Sequence, residues 1–588
     1  MKFTMRKTFF TLFTLILFSG NLLANSSLMQ AMRDEIKRSI DSLSLDKLQK
    51  PYFIEYSLIK SKSKNIKASL GSLIESDSNS SAYISVSVRV GNYKFDNTNF
   101  FDVGLGFFGS GDDEESFKLR EIPQNPDYKT LRRELWLATD AAYKQAAEIY
   151  SKKEAAIKNR LRQDTTHDFT RVTPQKLTDT FSIPKFDTKE FEEKVKSLSV
   201  IFSDYPEIQT SQVVTEYLPK TIYYVNSEGR EYVRTDLFTG IEVVATAQSS
   251  DGMPLQNIYS AYSLSPSGLP SKDSLFRAIK GVAEKLKSLT VSGKLSESYS
   301  GPMLFEGQAA AEIFAQIFAP NLVSQREVLS DGGLQESERY GAFQSKIGGR
   351  VLPEFLSVSD NPKAKNFSGT ELIGNYSIDD DGMESVDTKL VEHGFLKTLL
   401  SSRIPTKRVR ASNGHKRGGA PCFSNPELHS DAEHIKSPKE LKEKLIELCK
   451  NRELPFGIIV RKTMNQNIMF TTLYRVSGGG FQFSQGGGKV SVVEAYKVFP
   501  DGSEELIRGS NINGLTVQSF KDILLTGRDK YVLNLLAPAV VSPFFTGGSQ
   551  YLSASMIVPD LLFEDCELKP VEDDFPKLPF LSNPLKSD

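Results

Sequence analysis

Few side chains in this chain are of the kinds that hold metals or attack bonds. Five histidines are spread over 588 residues, at positions 167, 393, 415, 429 and 434, and the three cysteines are Cys422, Cys449 and Cys566. No Cys-x-x-Cys pair occurs, so a closed sulfur-type zinc site has no basis. His415, Cys422, His429 and His434 are the one neighbourhood where metal donors gather in sequence, with Asp431 and Glu433 among them. Five positions separate the two later histidines, a poor spacing for one face of a helix, and the segment reads as a polar loop. His393 falls in a predicted turn and His167 in a polar stretch, neither with an obvious partner. A lone carboxylate, Glu306, opens a predicted helix over 306–319 whose apolar face is Ala310, Ile313, Phe314, Ile317 and Phe318, with Pro320 as its stop. Such an acid can serve as a base, hold a substrate backbone, or simply stabilise the positive end of the helix.

Two glycine runs, Gly478-Gly479-Gly480 and Gly486-Gly487-Gly488, flank Phe481-Gln482-Phe483. They resemble a phosphate loop only superficially, because Lys489 is followed by Val490 rather than Ser or Thr. Strand turns or close backbone approach are the expected roles. No Gly-x-Ser-x-Gly elbow is present to expose a serine nucleophile. Arg403, Lys407, Arg408, Arg410, Lys416 and Arg417 form a basic cluster without interleaved aromatics, expected to be a solvated face rather than a nucleic-acid surface.

The elements that must position these residues follow from periodicity. Met29, Met32, Ile36 and Ile40 mark an amphipathic helix over 28–43. Tyr52–Ile59 and the alternating Ile84–Val90 read as strands. Gly109–Glu115 reads as a solvated loop. Asn125-Pro126-Asp127 starts a long helix reaching toward Leu161. Ser227-Glu228-Gly229 joins a hairpin, and a helix is expected over Asp273–Leu286. Beyond Gln325 the chain is glycine-rich, with short strand signals and one clear helix over Pro438–Lys450. The fold class expected is α+β. An N-terminal α/β lobe covers 27–298, a connecting helix 299–325, a mostly β lobe 326–569, and a tail 570–588.

Lys2, Arg6 and Lys7, then the apolar run Phe9–Phe18, then Ser19, Gly20, Ala24 and Ser26 have the order of a secretory signal peptide over 1–26. Leu22 departs from the preferred cleavage site, so an uncleaved anchor is the alternative. The run is short of the roughly 20 residues that span a bilayer, and no later stretch reaches that length. Composition is that expected of a soluble globular protein rather than a disordered or membrane one: 39% hydrophobic, 25% charged, and 72 basic against 73 acidic residues for a net charge of −1. That balance gives no general pull toward nucleic acid or anionic lipid.

Several short stretches, taken in order, resemble the TldD/PmbA peptidase family, also called modulator of gyrase proteins. They are Tyr299–Ala310, Ile347–Pro353, Asp379-Asp380-Asp381-Gly382, Leu390–Leu396, Ser412-Asn413-Gly414-His415, Ser424-Asn425-Pro426 and Gly457–Asn513, with Asn226–Gly229 as a hairpin of the first lobe. The resemblance implies a zinc peptidase fold in which His-Glu, three residues, then His bind metal from one helix while the glutamate acts on metal-bound water. Here Phe305 and Ala310 stand at the histidine positions and only Glu306 remains. The third family ligand, a cysteine, has no clear counterpart, since Cys566 lies near the C-terminus. In this the chain is similar to the PmbA-like (TldE) partners, which lack the motif and pair with metal-bearing subunits around a peptide channel.

The expectation is therefore a non-catalytic or atypical member, exported to the periplasm or beyond, without cofactor. Its partner would be extended or unfolded polypeptide, bound with help from Gly478–Phe483, and it would form a homodimer or pair with a metal-bearing relative. It would meet no nucleic acid and, after signal cleavage, would not span the membrane. One alternative is an active zinc metallopeptidase with ligands relocated to His415, Cys422, His429 or His434. Another is a structural envelope protein.

Overall fold

The computed structural model describes residues 27–44, 49–101, 120–158, 165–326, 328–330, 341–464, 489–540, 551–572, 574–581 and 583–584. The predicted leader 1–26, the Gly109–Glu115 loop and the Gly478–Phe483 stretch lie outside the described residues. Helices and extensive sheet make an α+β protein.

Helix α1 (27–42) buries Leu28, Met29, Met32 and Ile36, the stripe its periodicity predicted. Strands β1 (Pro51–Ser69) and β2 (Ser72–Asn92) form a long hairpin, turned by Leu70 and Gly71 at positive φ. Along β2, Ile84, Val86 and Val88 are buried while the alternating Tyr83, Ser85 and Ser87 are half-buried. Helix α2 (Tyr128–Lys158) packs on β2 through Leu131, Leu135 and Ala138. Its start is held by Asp127, whose Oδ1 accepts the Thr130 amide at 2.7 Å. Helix α3 (Thr188–Ser199) is capped in the same way by Asp187.

Strands β3 (Ile208–Tyr217), β4 (Lys220–Asn226), β5 (Arg230–Asp236), β6 (Thr239–Gln248) and β7 (Pro254–Ser263) complete the first sheet, in the order β7-β6-β3-β1-β4-β5, with β2 also on β1. All these pairings are antiparallel; the parallel addition is Gln175–Asp179 on β5. Helix α4 (Lys272–Val291) covers β6 and β7.

The second sheet is larger. Its centre is β8 (Tyr299–Phe305), which lies parallel to β9 (Gly457–Met464) and antiparallel to β12 (Tyr551–Pro570). Strand β10 (Val490–Val498) pairs with β9, and β11 (Ile523–Pro538) with β12. Helix α5 (Gln308–Ile313) follows β8, and helix α6 (Pro438–Asn451) carries a complete capping box between Ser437 and Glu440. Among the described residues no helix is long and apolar enough to cross a membrane.

The lobes are joined by charged groups. Arg234 of β5 donates to the Ile378 carbonyl at 2.7 Å and to Asp380 at 2.9 Å, and Arg230 reaches the Gly382 carbonyl. Arg403 is fully buried, pairs with Glu228 at 2.6 Å, and packs on the Phe169 ring that Arg89 also covers. Lys416 pairs with Asp381 at 2.7 Å. The basic cluster is thus not one solvated face: Arg403 and Lys416 are interior cations, tolerated because each has an acid partner. Tail residues also return to the first lobe, where Asn583 donates to the Pro206 carbonyl at 2.9 Å.

Candidate functional site

The stretch 299–313 forms a strand, a sharp turn and a helix. Phe305 ends β8 opposite Leu561, and the Glu306 amide still donates to the Val460 carbonyl at 2.9 Å. Gly307 turns the chain with φ +48°, and its amide donates to Asp560 Oδ1 at 2.7 Å. The helix therefore starts at Gln308, two residues later than its apolar pattern predicts, because the Glu306 amide remains in the sheet ladder. It is also not one continuous α-helix to residue 319. After Ile313 the backbone widens into a π turn over Phe314–Phe318, then tightens over Ala319–Leu322.

Phe305 and Ala310 are both wholly buried. Phe305 is one ring of an aromatic chain: its ring meets Phe563 at 5.3 Å, Phe563 meets Phe520 at 5.5 Å, and Phe520 meets Phe318 at 5.1 Å. Glu306, the one acid of the motif, points to Arg461, whose Nε lies 2.7 Å from its carboxylate. Arg461 also pairs with Glu504 at 3.0 Å and lies over the Tyr496 ring. Glu306 is thus neutralised by a side-chain cation rather than serving as the helix cap.

The residues that the motif pattern missed surround α5. Glu312 is 1% exposed; its carboxylate accepts the Thr463 amide at 2.6 Å, the Thr463 hydroxyl at 2.7 Å and the Gln308 side-chain amide at 2.7 Å. Burial outweighs these bonds and pushes its pKa up to about 7. Burial also lowers the pKa of the neighbouring Lys462 ammonium, which donates to Asn257 Oδ1 at 3.0 Å, and raises that of Asp560. Tyr531 lies close to the Gly307 turn and keeps 40% of its surface. One signal for Glu312 was present in the sequence: an acid inside an otherwise apolar run. Lys462, Tyr531 and Asp560 come from three strands far apart in sequence.

The donor set does not fit zinc. Phenylalanine and alanine offer no lone pair, and both positions are closed. Cys566 stands opposite Gly301, four residues before Phe305 and about 13 Å from it along the strand. Burial raises its thiol pKa well above the ordinary value. His415 is fully buried with Nδ1 2.9 Å from the Asn413 carbonyl, and burial lowers its pKa. Burial pushes the Cys422 thiol up to about 12. His429 sits on a strand beside Ser359 at 2.9 Å, and His434 stacks on Phe355 at 3.9 Å, so neither belongs to a plain solvated loop. Among the described residues no three His, Cys, Asp or Glu side chains converge as a metal site requires.

Comparison with known proteins bears on this geometry. Residues 297–569 match the family model of the PmbA/TldA metallopeptidase C-terminal domain. The C-terminal part of the chain is thus similar to a domain of the TldD/PmbA family. A curated metalloprotease of Methanocaldococcus jannaschii is 27% identical over 175 residues, which are 29% of this chain and 33% of that protein. The chain thus spans about a third of the length of that relative. Among solved structures, TldE from Thermococcus kodakarensis superposes with a TM-score of 0.56 at 13% identity, over 92% of this chain and 99% of that one. A protein of Thermotoga maritima described as a modulator of a DNA gyrase gives 0.55 at 14% identity, over 88% and 96%. At such identities the superpositions speak for the TldD/PmbA fold alone.

Proposed function

We propose that the chain is an atypical, non-catalytic TldD/PmbA protein that binds extended polypeptide outside the cytoplasm. It acts as a homodimer or beside a metal-bearing relative. The observation that carries this reading is the strand–helix junction: Phe305 and Ala310, which stand where the family resemblance would place metal-binding histidines, are apolar, enclosed and part of the core. Glu306 keeps its place but is held by Arg461, which opposes its use as a free base. The leader-like sequence 1–26 supports export. The glycine-rich 478–488 stretch, between β9 and β10 in sequence, supports strand-type recognition of peptide backbone.

The test is metal analysis of the mature protein purified without chelator, with casein-peptide cleavage and binding measured on the same sample. The expected result is no stoichiometric zinc, no cleavage, and saturable binding of unfolded casein. Near-stoichiometric zinc with chelator-sensitive cleavage would overturn the reading.

A further inference from the structure

A cavity of about 1070 Å³ opens between the lobes and has none of residues 305–312 in its wall. This is the size of a generous small-molecule site. One part of its wall is apolar, formed by Leu218, Phe238, Leu264, Ile373 and Leu536, which pack as one cluster, together with Leu552. Beside it stand two cations from different lobes. Lys220 lies directly opposite Asp236 in the β4–β5 register. Arg417 donates to the Ser553 carbonyl at 2.7 Å, and Ser553 is paired with Leu536 across β11 and β12. Charge and apolar surface are therefore adjacent by construction.

The carboxylates of the wall are already engaged. Asp236 pairs with Arg234 at 2.8 Å, Asp380 with Arg234 at 2.9 Å and with the Gly418 amide at 2.7 Å, and Glu55 accepts the Tyr224 hydroxyl at 2.7 Å. Asp236 keeps 42% of its side chain accessible because it faces the cavity. Among the described residues neither Lys220 nor Arg417 makes an ion pair, Arg417 resting instead on the Tyr376 ring at 4.9 Å. Elsewhere in the wall, Arg89 and Ser324 are 5% and 3% exposed, and Arg89 Nε and Ser324 Oγ make no hydrogen bond within the described residues. Buried donors left in this state call for a partner.

We infer that this cavity binds an amphiphilic anion, one acid group on an apolar body. The acid is held between Lys220 and Arg417, and the body lies against Leu536, Leu552 and Phe238. The inference is independent of the peptide-binding reading above. Both a fatty acid and the C-terminal end of an apolar peptide carry this chemistry.

Equilibrium dialysis against laurate, dodecanol, N-acetyl-trileucine and its C-terminal amide tests it on the full mature chain. Expected is saturable one-to-one binding of laurate or of the tripeptide acid, weakened at least tenfold in K220Q/R417Q, with dodecanol and the amide bound equally by both proteins. Laurate alone would indicate a lipid-derived acid; the tripeptide acid alone would indicate a polypeptide end. Leu536→Gln, at a half-buried position, is a second variant should the double substitution disturb folding, and it lowers the affinity of laurate and dodecanol alike. No charge-dependent binding of either acid, or binding undiminished in both variants, would overturn the proposal.

Discussion

The strand–helix junction and the interlobe cavity occupy opposite ends of one scale. At the junction a strand, turn and helix are formed but the chemistry is closed: Phe305 and Ala310 are sealed in the core, and Glu306 is tied to Arg461. In the cavity the surface is open and two of its cations, Lys220 and Arg417, make no ion pair among the described residues, although nothing in the sequence singles it out. Backbone likeness marks where a family keeps its geometry. Accessible, incompletely paired polar groups mark where this chain can still meet a ligand.

The sharpest way to break this comparison is to restore donors at the junction. Phe305→His with Ala310→His removes an aromatic core ring and buries two imidazoles. It should cost about 4 kcal/mol in denaturant unfolding and yield no stoichiometric zinc by metal analysis. A stable variant that takes up zinc would mean the junction is only superficially closed.

A smaller effect of opposite sign is expected at Glu312. Its folded pKa, about 7, lies above its ordinary 4.5. A raised carboxyl imposes no penalty when protonated in both states, below about pH 4.5. Its relative stabilisation is lost as pH rises through 7. Glu312→Gln should therefore be more stable than the parent by up to ~3 kcal/mol at pH 8, with the difference fading toward pH 4.5, as read by thermal unfolding across that range. A pH-independent difference would locate the burial penalty elsewhere. Least of all, Glu306→Gln should change stability by under about 1 kcal/mol, because both it and Arg461 are partly exposed. A large loss there would give Glu306 a role beyond its ion pair.

Much of the scaffold was legible where the signal is local. The alternation from Ile84 to Val90 and the Ser227–Gly229 turn each depend on a few neighbouring residues and are found as read, while α2 starts two residues later than read, capped by Asp127 rather than Asn125. Burial of charge was not legible. Arg403 reads as surface by composition, and only the approach of Glu228 from the other lobe, 175 positions away, explains its place inside. The surroundings of α5 were hidden for the same reason: Glu312 stands out in its apolar run, but Thr463, Tyr531 and Asp560 reach it only through strand order in the second sheet. The Gly478–Phe483 stretch, central to the sequence reading of peptide binding, lies outside the described residues.

The widened turn after α5 has a consequence for counting. There the Ala319 amide reaches back five residues to the Phe314 carbonyl instead of four. One extra residue is absorbed without lengthening the rod by a full α-helical step, so every position beyond it is rotated out of phase with an ideal helix. Matching residues between this chain and a relative with an unbroken helix requires a single-position gap near 314–318, and side chains aligned without that gap would be assigned to the wrong flank of the helix.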